Sequence, residues 1–549
     1  MNHPSGAPLQ RALSRLGVPP EAVRWYGTDI AKLDPERLAN VTARQGKLVL
    51  VTALTPTPAG EGKTTVAVGL VDALCRQGIQ AAGALREPSM GPLFGRKGGA
   101  VGGGNARVIP SERINLHFTG DIHAISAAHN LLSAVIDNHV FAGNALELDP
   151  SKILWPRTLD MNDRALRKLQ VGLATRRGPQ REDRFVITAA SEVMAVLCMA
   201  NGPQDVRERL GRIVIGENIR REPVFAEQLG VHGAMAAVLL DALSPNLVTT
   251  LEGNPVLLHG GPFANIAQGT SSSIQTRLAL RLADVVVTEG GFAFDLGGFK
   301  FIDLVGRSQG FAPHVVVCVV TIRALRHHGG ADFAQGPNAH AVAAGIENLE
   351  AHLDALRGLG IERPVVAINR FPDDSEQELE LLRQRLGELN VPCAEANVFT
   401  AGGAGGEELA TRVSELLAAP APSIRHAYAS DDPLELKLER IATRILGAES
   451  VDLSQAAQAD LERLRRWNLD GLPVCLAKTH LSISDDQTLI GRPRSHTLHV
   501  TGLDVSNGAG FIVARCGPIL TMPGLPERPA AEDVDIRLVD GTWQVVGLH

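Results

Sequence analysis

The chain has 549 residues, more than one ordinary hydrophobic core accommodates, so two or three domains are expected. A hydrophobic share of 44% with 21% charged residues is the balance of a soluble globular protein. With 53 basic against 60 acidic residues the net charge is −7, which excludes a broad basic field for nucleic acid but not a local anion pocket.

The six cysteines, Cys75, Cys198, Cys318, Cys393, Cys475 and Cys516, are scattered, with no C-x-x-C pair and no metal-ligand spacing. A reduced cytoplasmic setting is expected. Residues 1–15 lack the apolar core of a signal peptide. No apolar run approaches the roughly 20 residues that a spanning helix needs.

Residues 1–45 read as a short helical lead, with Leu9, Leu13 and Leu16 at helical spacing before a Pro19-Pro20 break. Leu48 to Leu54 is an apolar, β-branched run that breaks into a Pro/Gly turn, and Lys63 to Cys75 then reads as a helix. Strand, small-residue loop and Gly62-Lys63-Thr64 stand in the order of a phosphate-binding loop. Glycines let backbone N–H groups converge on a polyphosphate, and the helix adds its positive N-terminal end. Lys63 would reach the β/γ-phosphates of ATP or GTP, and the Thr64 hydroxyl would ligate Mg²⁺. The pattern G-x-x-x-x-G-K-[ST] is incomplete, because its first glycine falls on Thr57.

Ile79 to Leu85 predicts a second strand, ending in Arg86-Glu87. Strands alternating with helices predict an α/β fold, a parallel sheet of P-loop NTPase type with helices on both faces. Ligands then gather at the C-terminal strand ends, where Lys63 and Arg86 both fall. Residues 91–107 are dominated by glycine but carry Arg96, Lys97 and Arg107, which suits an anion-facing loop better than a spacer. Asn115 to His123 and then His129 bring three histidines and Asp121 together without any standard zinc spacing. His117 and His123 are read as lining a cleft, and His129 as structural.

Further βα units are expected at Phe185 to Ala190 with a helix from Ser191, and at Pro255 to Leu258 with a helix from about Ala264. Val285 to Val287 runs into Thr288-Glu289-Gly290-Gly291, where Glu289 is either beside phosphate and Mg²⁺ or on the surface. His314 to Val320 and Val365 to Ile368 complete the strand set, the latter ending in Asn369-Arg370-Phe371-Pro372. There Phe371 either stacks on a flat ligand or belongs to the core. A linker at 419–432 precedes two amphipathic helices, 433–446 and 454–467, and a final section of short strands. The expected division is a lead (1–45), a nucleotide-binding α/β domain (46–350), a second α/β domain (351–420) and a smaller C-terminal domain (421–549).

On these residues alone the default chemistry is phosphoryl transfer, with lysine, Mg²⁺ and arginine neutralising charge. Asn369-Arg370-Phe371-Pro372 departs from the N-K-x-D base reader of a GTPase, so a ligase or kinase with a small anionic substrate on Arg86 is favoured.

Five segments, 55–65, 86–92, 114–121, 259–267 and 522–526, closely resemble, in family order, those of formate–tetrahydrofolate ligases (formyltetrahydrofolate synthetases). The resemblance implies ATP-dependent activation of formate to formyl phosphate, then transfer of the formyl group to tetrahydrofolate. It implies that Thr57, Pro58, Ala59, Gly60, Glu61, Gly62, Lys63, Thr64 and Thr65 cradle the nucleotide. Arg86 would hold formyl phosphate, Glu87 would shape the site, and His117 is a further candidate catalytic residue. Phe371 and Phe399 would stack on the folate. A homotetramer and a monovalent cation are also implied, without support from other residues.

The chain departs from the family at Phe399 (usually Trp), at Thr400-Ala401, at Asn105 (usually Tyr) and at Gln268 (usually His). Thr270-Ser271, Phe294, Phe299 and His480 (usually Gln) depart as well. These positions fall in segments expected to face the acceptor. Two alternatives therefore stand beside the ligase: a paralogue that formylates a different amine, and an inactive nucleotide-binding scaffold.

Overall fold

The computed structural model describes every residue except 1–6, 40, 42, 98–100, 174–179, 333–335, 540 and 549, and for 96–97 the backbone alone. Its framework is a 12-stranded sheet. The principal strands, in chain order, are β1 (Val23–Trp25), β2 (Ala31–Leu33), β3 (Lys47–Ala53), β4 (Ala81–Leu85), β5 (Ala106–Ile109), β6 (Asn246–Thr250), β7 (Pro255–Leu258), β8 (Val285–Glu289), β9 (Val315–Val320), β10 (Val365–Asn369) and β11 (Cys393–Ala396). They lie side by side as β1-β2-β6-β7-β4-β8-β3-β9-β10-β11, with β5 pairing on β6. Every pairing from β7 to β11 is parallel. The β1–β2, β2–β6 and β6–β7 pairings are antiparallel.

β3 shows why the sequence builds a two-sided sheet. Leu48 and Leu50 enter one apolar core, with helices Ser273–Leu282, Ala339–Gly358 and Glu376–Glu388. Val49, Val51 and Ala53 enter a second core on the other face, with helices Lys63–Arg76 and Glu407–Ala418. A strand covered on both sides needs apolar side chains at every position, which explains its continuous hydrophobic run. Each fully buried valine or leucine contributes about 1.5–3 kcal/mol relative to exposure.

A third core joins helices Asp121–Phe141 and Glu192–Met199 to the three-stranded sheet of Leu148–Ile153, Val214–Asn218 and Pro223–Phe225. Near the C-terminus, Ser450–Leu453, Val474–Ala477, Thr497–Ser506 and Phe511–Cys516 form a separate four-stranded sheet. Helices Leu434–Ile441 and Gln455–Arg466 accompany it, close to their expected positions. Among the described residues, no helix is long and apolar enough to cross a membrane.

Two expectations change. Among its described residues the N-terminal lead holds a helix at Ala7–Leu16, where Leu9, Leu13 and Leu16 are buried, and a single helical turn at Pro35–Leu38; between them β1 and β2 extend the sheet. Three-residue strands are too short to show an alternating pattern. The helix expected from about Ala264 begins at Ser273, capped by the Ser272 side chain on the Gln275 amide. Its predecessor, 259–272, stays irregular, with Gly260 and Gly269 at positive φ. β10 and β11, which lie in residues 351–420, pair parallel with the main sheet.

Candidate active site

The C-terminal ends of β3, β4, β8, β9 and β10 supply one cluster of polar groups. The loop after β3 is folded around Glu61, which is buried. Thr57 donates its amide and its hydroxyl to Glu61 Oε1 at 2.7 and 2.8 Å. The Thr321 hydroxyl, one residue past β9, donates to Glu61 Oε2. Asn369, the last residue of β10, donates its amide to the Glu61 carbonyl at 3.0 Å. Arg323 reaches the Gly60 carbonyl at 2.6 Å. Gly62 takes φ +67°, and a Cβ there would stand 2.5 Å from Asn369 Nδ2, so glycine is required on two counts. Helix Lys63–Arg76 starts at once, so its unpaired N–H groups face the loop.

The base of this loop rests on a buried network. Thr55 donates its amide to Asn348 Oδ1 at 3.2 Å, and Asn348 Nδ2 donates to the Thr55 hydroxyl at 3.1 Å. That hydroxyl also hydrogen-bonds His352 Nε2, 3.0 Å away. His328 donates from Nε2 to the Thr55 carbonyl at 2.8 Å and accepts the Gly491 amide at Nδ1 at 3.2 Å. Burial lowers both imidazoles to a pKa of about 4, so each is neutral at pH 7. Asn348 and His352 were not singled out in sequence, since nothing local distinguishes two polar residues on the inner face of a long helix.

Thr64 and Arg86 meet on one carboxylate, and its charge also reaches the Lys63 ammonium. The Thr64 hydroxyl donates to Glu289 Oε2 at 2.8 Å, and Arg86 Nη2 donates to Oε1 at 3.3 Å. Glu289 is 5% exposed and Arg86 is 21% exposed. Burial lowers the Lys63 pKa, against the raising pull of Glu289 and Glu61, while Arg86 pushes it further down. Arg86 Nη1 also donates to the Pro262 carbonyl at 3.2 Å, and its Nε is buried without a hydrogen-bond partner. The site thus presents a lysine, a guanidinium and a hydroxyl, preorganised by a buried anion at the mouth of a helix. It can hold a phosphate chain beside a second, smaller anion.

Glu87 is buried, and its backbone amide donates to the Gly260 carbonyl at 2.8 Å. Burial, with Asp121 adding to it and Lys32 opposing it, holds its carboxyl well above the usual range. Asp121 itself makes a buried ion pair with Lys32 at 2.7 Å and accepts Asn246 Nδ2 at 2.8 Å. Lys32, on β2, carried no sequence signal of this role.

His117 is exposed and lines a groove of about 610 Å³ with Leu116, Phe118 and Trp543; His123 is exposed on helix Asp121–Phe141. His129 is a core residue, its Nδ1 on the Ser191 hydroxyl at 2.7 Å and its Nε2 on the Pro156 carbonyl at 3.0 Å. Phe371 is half-buried, with the Arg323 guanidinium 4.8 Å above its ring. Phe399 is 59% exposed and lies against the glycine-rich segment: Asn105 donates its amide to the Phe399 carbonyl at 2.8 Å and its side chain to the Thr400 carbonyl at 2.6 Å. Asn105, remote in sequence from Phe399 and Ala401, therefore comes to the same exposed place as those two. Phe294 and Phe299 do not face such a place, being 0% and 1% exposed in the core around β3. Gln268 is fully buried, with both side-chain amide atoms unpartnered. The side chains of Arg96 and Lys97 lie outside the described residues, and Arg107 is exposed on β5.

Comparison with known proteins adds a whole-chain result. The family model described as formate–tetrahydrofolate ligase matches residues 3–549. The chain is 48% identical over 555 residues to the formate–tetrahydrofolate ligase of Psychrobacter sp. (strain PRwf-1), covering 98% of this chain and 97% of that one. It is 49% identical over 549 residues to the protein of that name from Methylobacterium radiotolerans, with the same coverage. To that of Methylobacillus flagellatus it is 48% identical over 545 residues.

Proposed function

The chain belongs to the formate–tetrahydrofolate ligase family, and on that premise we propose that it joins formate to tetrahydrofolate with consumption of ATP. The observation that carries this reading is that Glu289 takes both Thr64 and Arg86 at the start of the helix that opens with Lys63. A formate oxygen attacks the γ-phosphorus, the bond to ADP breaks, and formyl phosphate remains on Arg86. The N10 amine of tetrahydrofolate then attacks the formyl carbon, phosphate departs, and the nitrogen loses its proton. The products are 10-formyltetrahydrofolate, ADP and phosphate.

The residues divide the work. Thr57 to Thr65 wrap the phosphates as a P-loop, with Lys63 spreading charge from the transferred group. Arg86, 21% exposed with its Nη2 on a carboxylate, can turn a two-pronged donor face to the acyl phosphate. Glu87 buttresses the strand end behind it. The Thr64 hydroxyl and the Glu289 carboxylate are adjacent hard oxygen donors, which fits a Mg²⁺ held mostly by nucleotide phosphates. They would hold it, and it would supply neutralisation of phosphate charge. Phe371 and Phe399 are the proposed folate contacts, and His117 remains a candidate for proton transfer. A cytoplasmic homotetramer responsive to a monovalent cation completes the reading.

The test is formation of 10-formyltetrahydrofolate from formate, ATP and tetrahydrofolate, read as absorbance of the methenyl form after acidification. Signal that disappears in Lys63→Ala supports the assignment. ATP turnover that needs formate but ignores tetrahydrofolate would instead favour a different amine acceptor. The meeting of Asn105, Phe399 and Ala401 at one exposed place is what keeps that second reading open.

A further inference from the structure

Immediately after Glu289, the chain does something costly. Gly290 and Gly291 are followed by Phe292 at φ +59°, in the left-handed region that bulky side chains avoid. Two glycines stood available in sequence, yet the strained position carries an aromatic ring. That ring stacks on His480, with centroids 4.3 Å apart and planes 25° from parallel. Both residues are half-buried.

The stack is fixed from both sides. Three residues after Phe292, Asp295 forms a buried ion pair with Lys478 at 2.6 Å, and Lys478 stands two residues before His480. Lys300, also buried, donates to the Leu476 carbonyl at 2.9 Å and to the Ala264 carbonyl. Two charged cross-links thus tie the segment after β8 to the C-terminal segment that carries His480. On its other side the segment touches the site directly: a Cβ on Gly291 would lie 2.8 Å from Arg86 Nη1 and 2.6 Å from Ala264 Cβ. Phe292 is therefore the sequence neighbour of the residue that packs on the guanidinium.

We propose that the Phe292–His480 pair is a water-excluding wall for the acyl phosphate held by Arg86, one that makes transfer to the amine prevail over hydrolysis. This rests on the formyl phosphate reading above. The competing reaction is simple: water attacks the formyl carbon, the bond from carbon to the phosphate oxygen breaks, and formate, phosphate and a proton are released. Each such event uses one ATP without product. An arginine exposed enough to receive formate is exposed enough to admit water, so an apolar cover beside it has a function. Strained residues persist where the surroundings over-determine them, and the two cross-links that follow Phe292 do that here.

The experiment measures phosphate released per formyl group transferred, at saturating formate, ATP and tetrahydrofolate, in wild type, Phe292→Gly, Phe292→Tyr and His480→Ala. Phe292→Gly removes the ring while relieving the backbone, so it is the variant best placed to fold. Wild type and Phe292→Tyr should release one phosphate per formyl group. Phe292→Gly and His480→Ala should release several-fold more, and the surplus should require formate. Unchanged stoichiometry in active Phe292→Gly and His480→Ala overturns the proposal. So does a raised KM for tetrahydrofolate without surplus phosphate, which would make the pair an acceptor contact, and so does loss of all turnover in both. Trapping with hydroxylamine in the absence of tetrahydrofolate separates the two levels. If wild type gives no formyl hydroxamate, the intermediate itself is wrong. If it does and the stoichiometry is unmoved, only the wall is wrong.

Discussion

Thr64 gives its hydroxyl proton to Glu289 Oε2 across 2.8 Å, tying the start of the helix after β3 to the end of β8. The other oxygen of the same carboxylate takes Arg86. One buried anion therefore sets the spacing between the group proposed to hold nucleotide and the group proposed to hold formate. Replacing it by Glu289→Gln keeps the shape and removes the charge. We expect kcat to fall by about 10²–10³, the cost of one preorganised charge interaction at a transition state. The methenyl absorbance assay measures it; a loss under tenfold would show that the carboxylate only spaces the site.

Arg86→Lys keeps the charge but loses the fork of donors, of which Nη1 and Nη2 already hold Pro262 and Glu289. Turnover at saturating formate should drop by roughly 10²-fold, since two charge-assisted hydrogen bonds become one at most. Near-native turnover would remove Arg86 from the reacting centre.

His352 carries a pH signature. Its folded pKa of about 4 lies below the usual 6.5, so protons bind the unfolded chain preferentially between those values. Stability on this account is full above pH 6.5 and falls as pH drops toward 4, by up to about 3 kcal/mol. His352→Gln keeps a hydrogen-bonding group opposite the Thr55 hydroxyl without titrating, so its melting temperature should decline less than that of wild type from pH 6.5 to 4. Parallel melting curves would contradict this.

Asp72 works in the opposite sense. Its Oδ1 accepts from Asn254 at 2.7 Å and from the Thr250 hydroxyl, while Oδ2 is buried without a partner. Burial raises its pKa from 3.8 to about 6, so the folded state holds the proton longer and stability is lost as pH rises through that window. Asp72→Asn keeps an acceptor oxygen and should stabilise the protein by up to about 3 kcal/mol at pH 7. Denaturant midpoints at pH 4 and pH 7 test it: the gain should be present only at the higher pH.

Much of the fold was readable because parallel, doubly covered strands leave unbroken apolar runs. Leu48 to Leu54 was placed within a residue of Lys47–Ala53, and Pro255 to Leu258 coincided with its strand. The position of Lys63 at a helix start followed from the glycines before it. What escaped depends on tertiary pairing: β1 and β2 become strands only against β6, and Lys32 is buried only because Asp121 receives it. Phe294 and Phe299 show the converse. Their bulk suggested an altered acceptor pocket, and the fold places them in the core.

Gly104 tests the junction beside Phe399. Its φ is +57°, and a Cβ there would lie 2.2 Å from the Phe399 carbonyl oxygen. Gly104→Ala should cost about 1–2 kcal/mol in backbone strain alone and shift the loop off Phe399. The expected result is a KM for tetrahydrofolate raised roughly tenfold with KM for ATP unchanged. An equal rise in both would place this junction at the nucleotide.

The order of the sheet also governs how the chain is made. β3 stands in the middle, yet its two neighbours, β8 and β9, come from residues 285–289 and 315–320. On the ribosome the central strand emerges early and waits with both edges bare until more than half of the protein has been synthesised. Such long-range closure is slow, and the unpaired valines of β3 are a template for wrong partners meanwhile. Lys478 and His480 arrive later still, so Asp295 lacks its ion pair and Phe292 its stacking partner until synthesis is nearly over. A nascent or truncated chain therefore leaves the segment after β8 without the contacts that fix it.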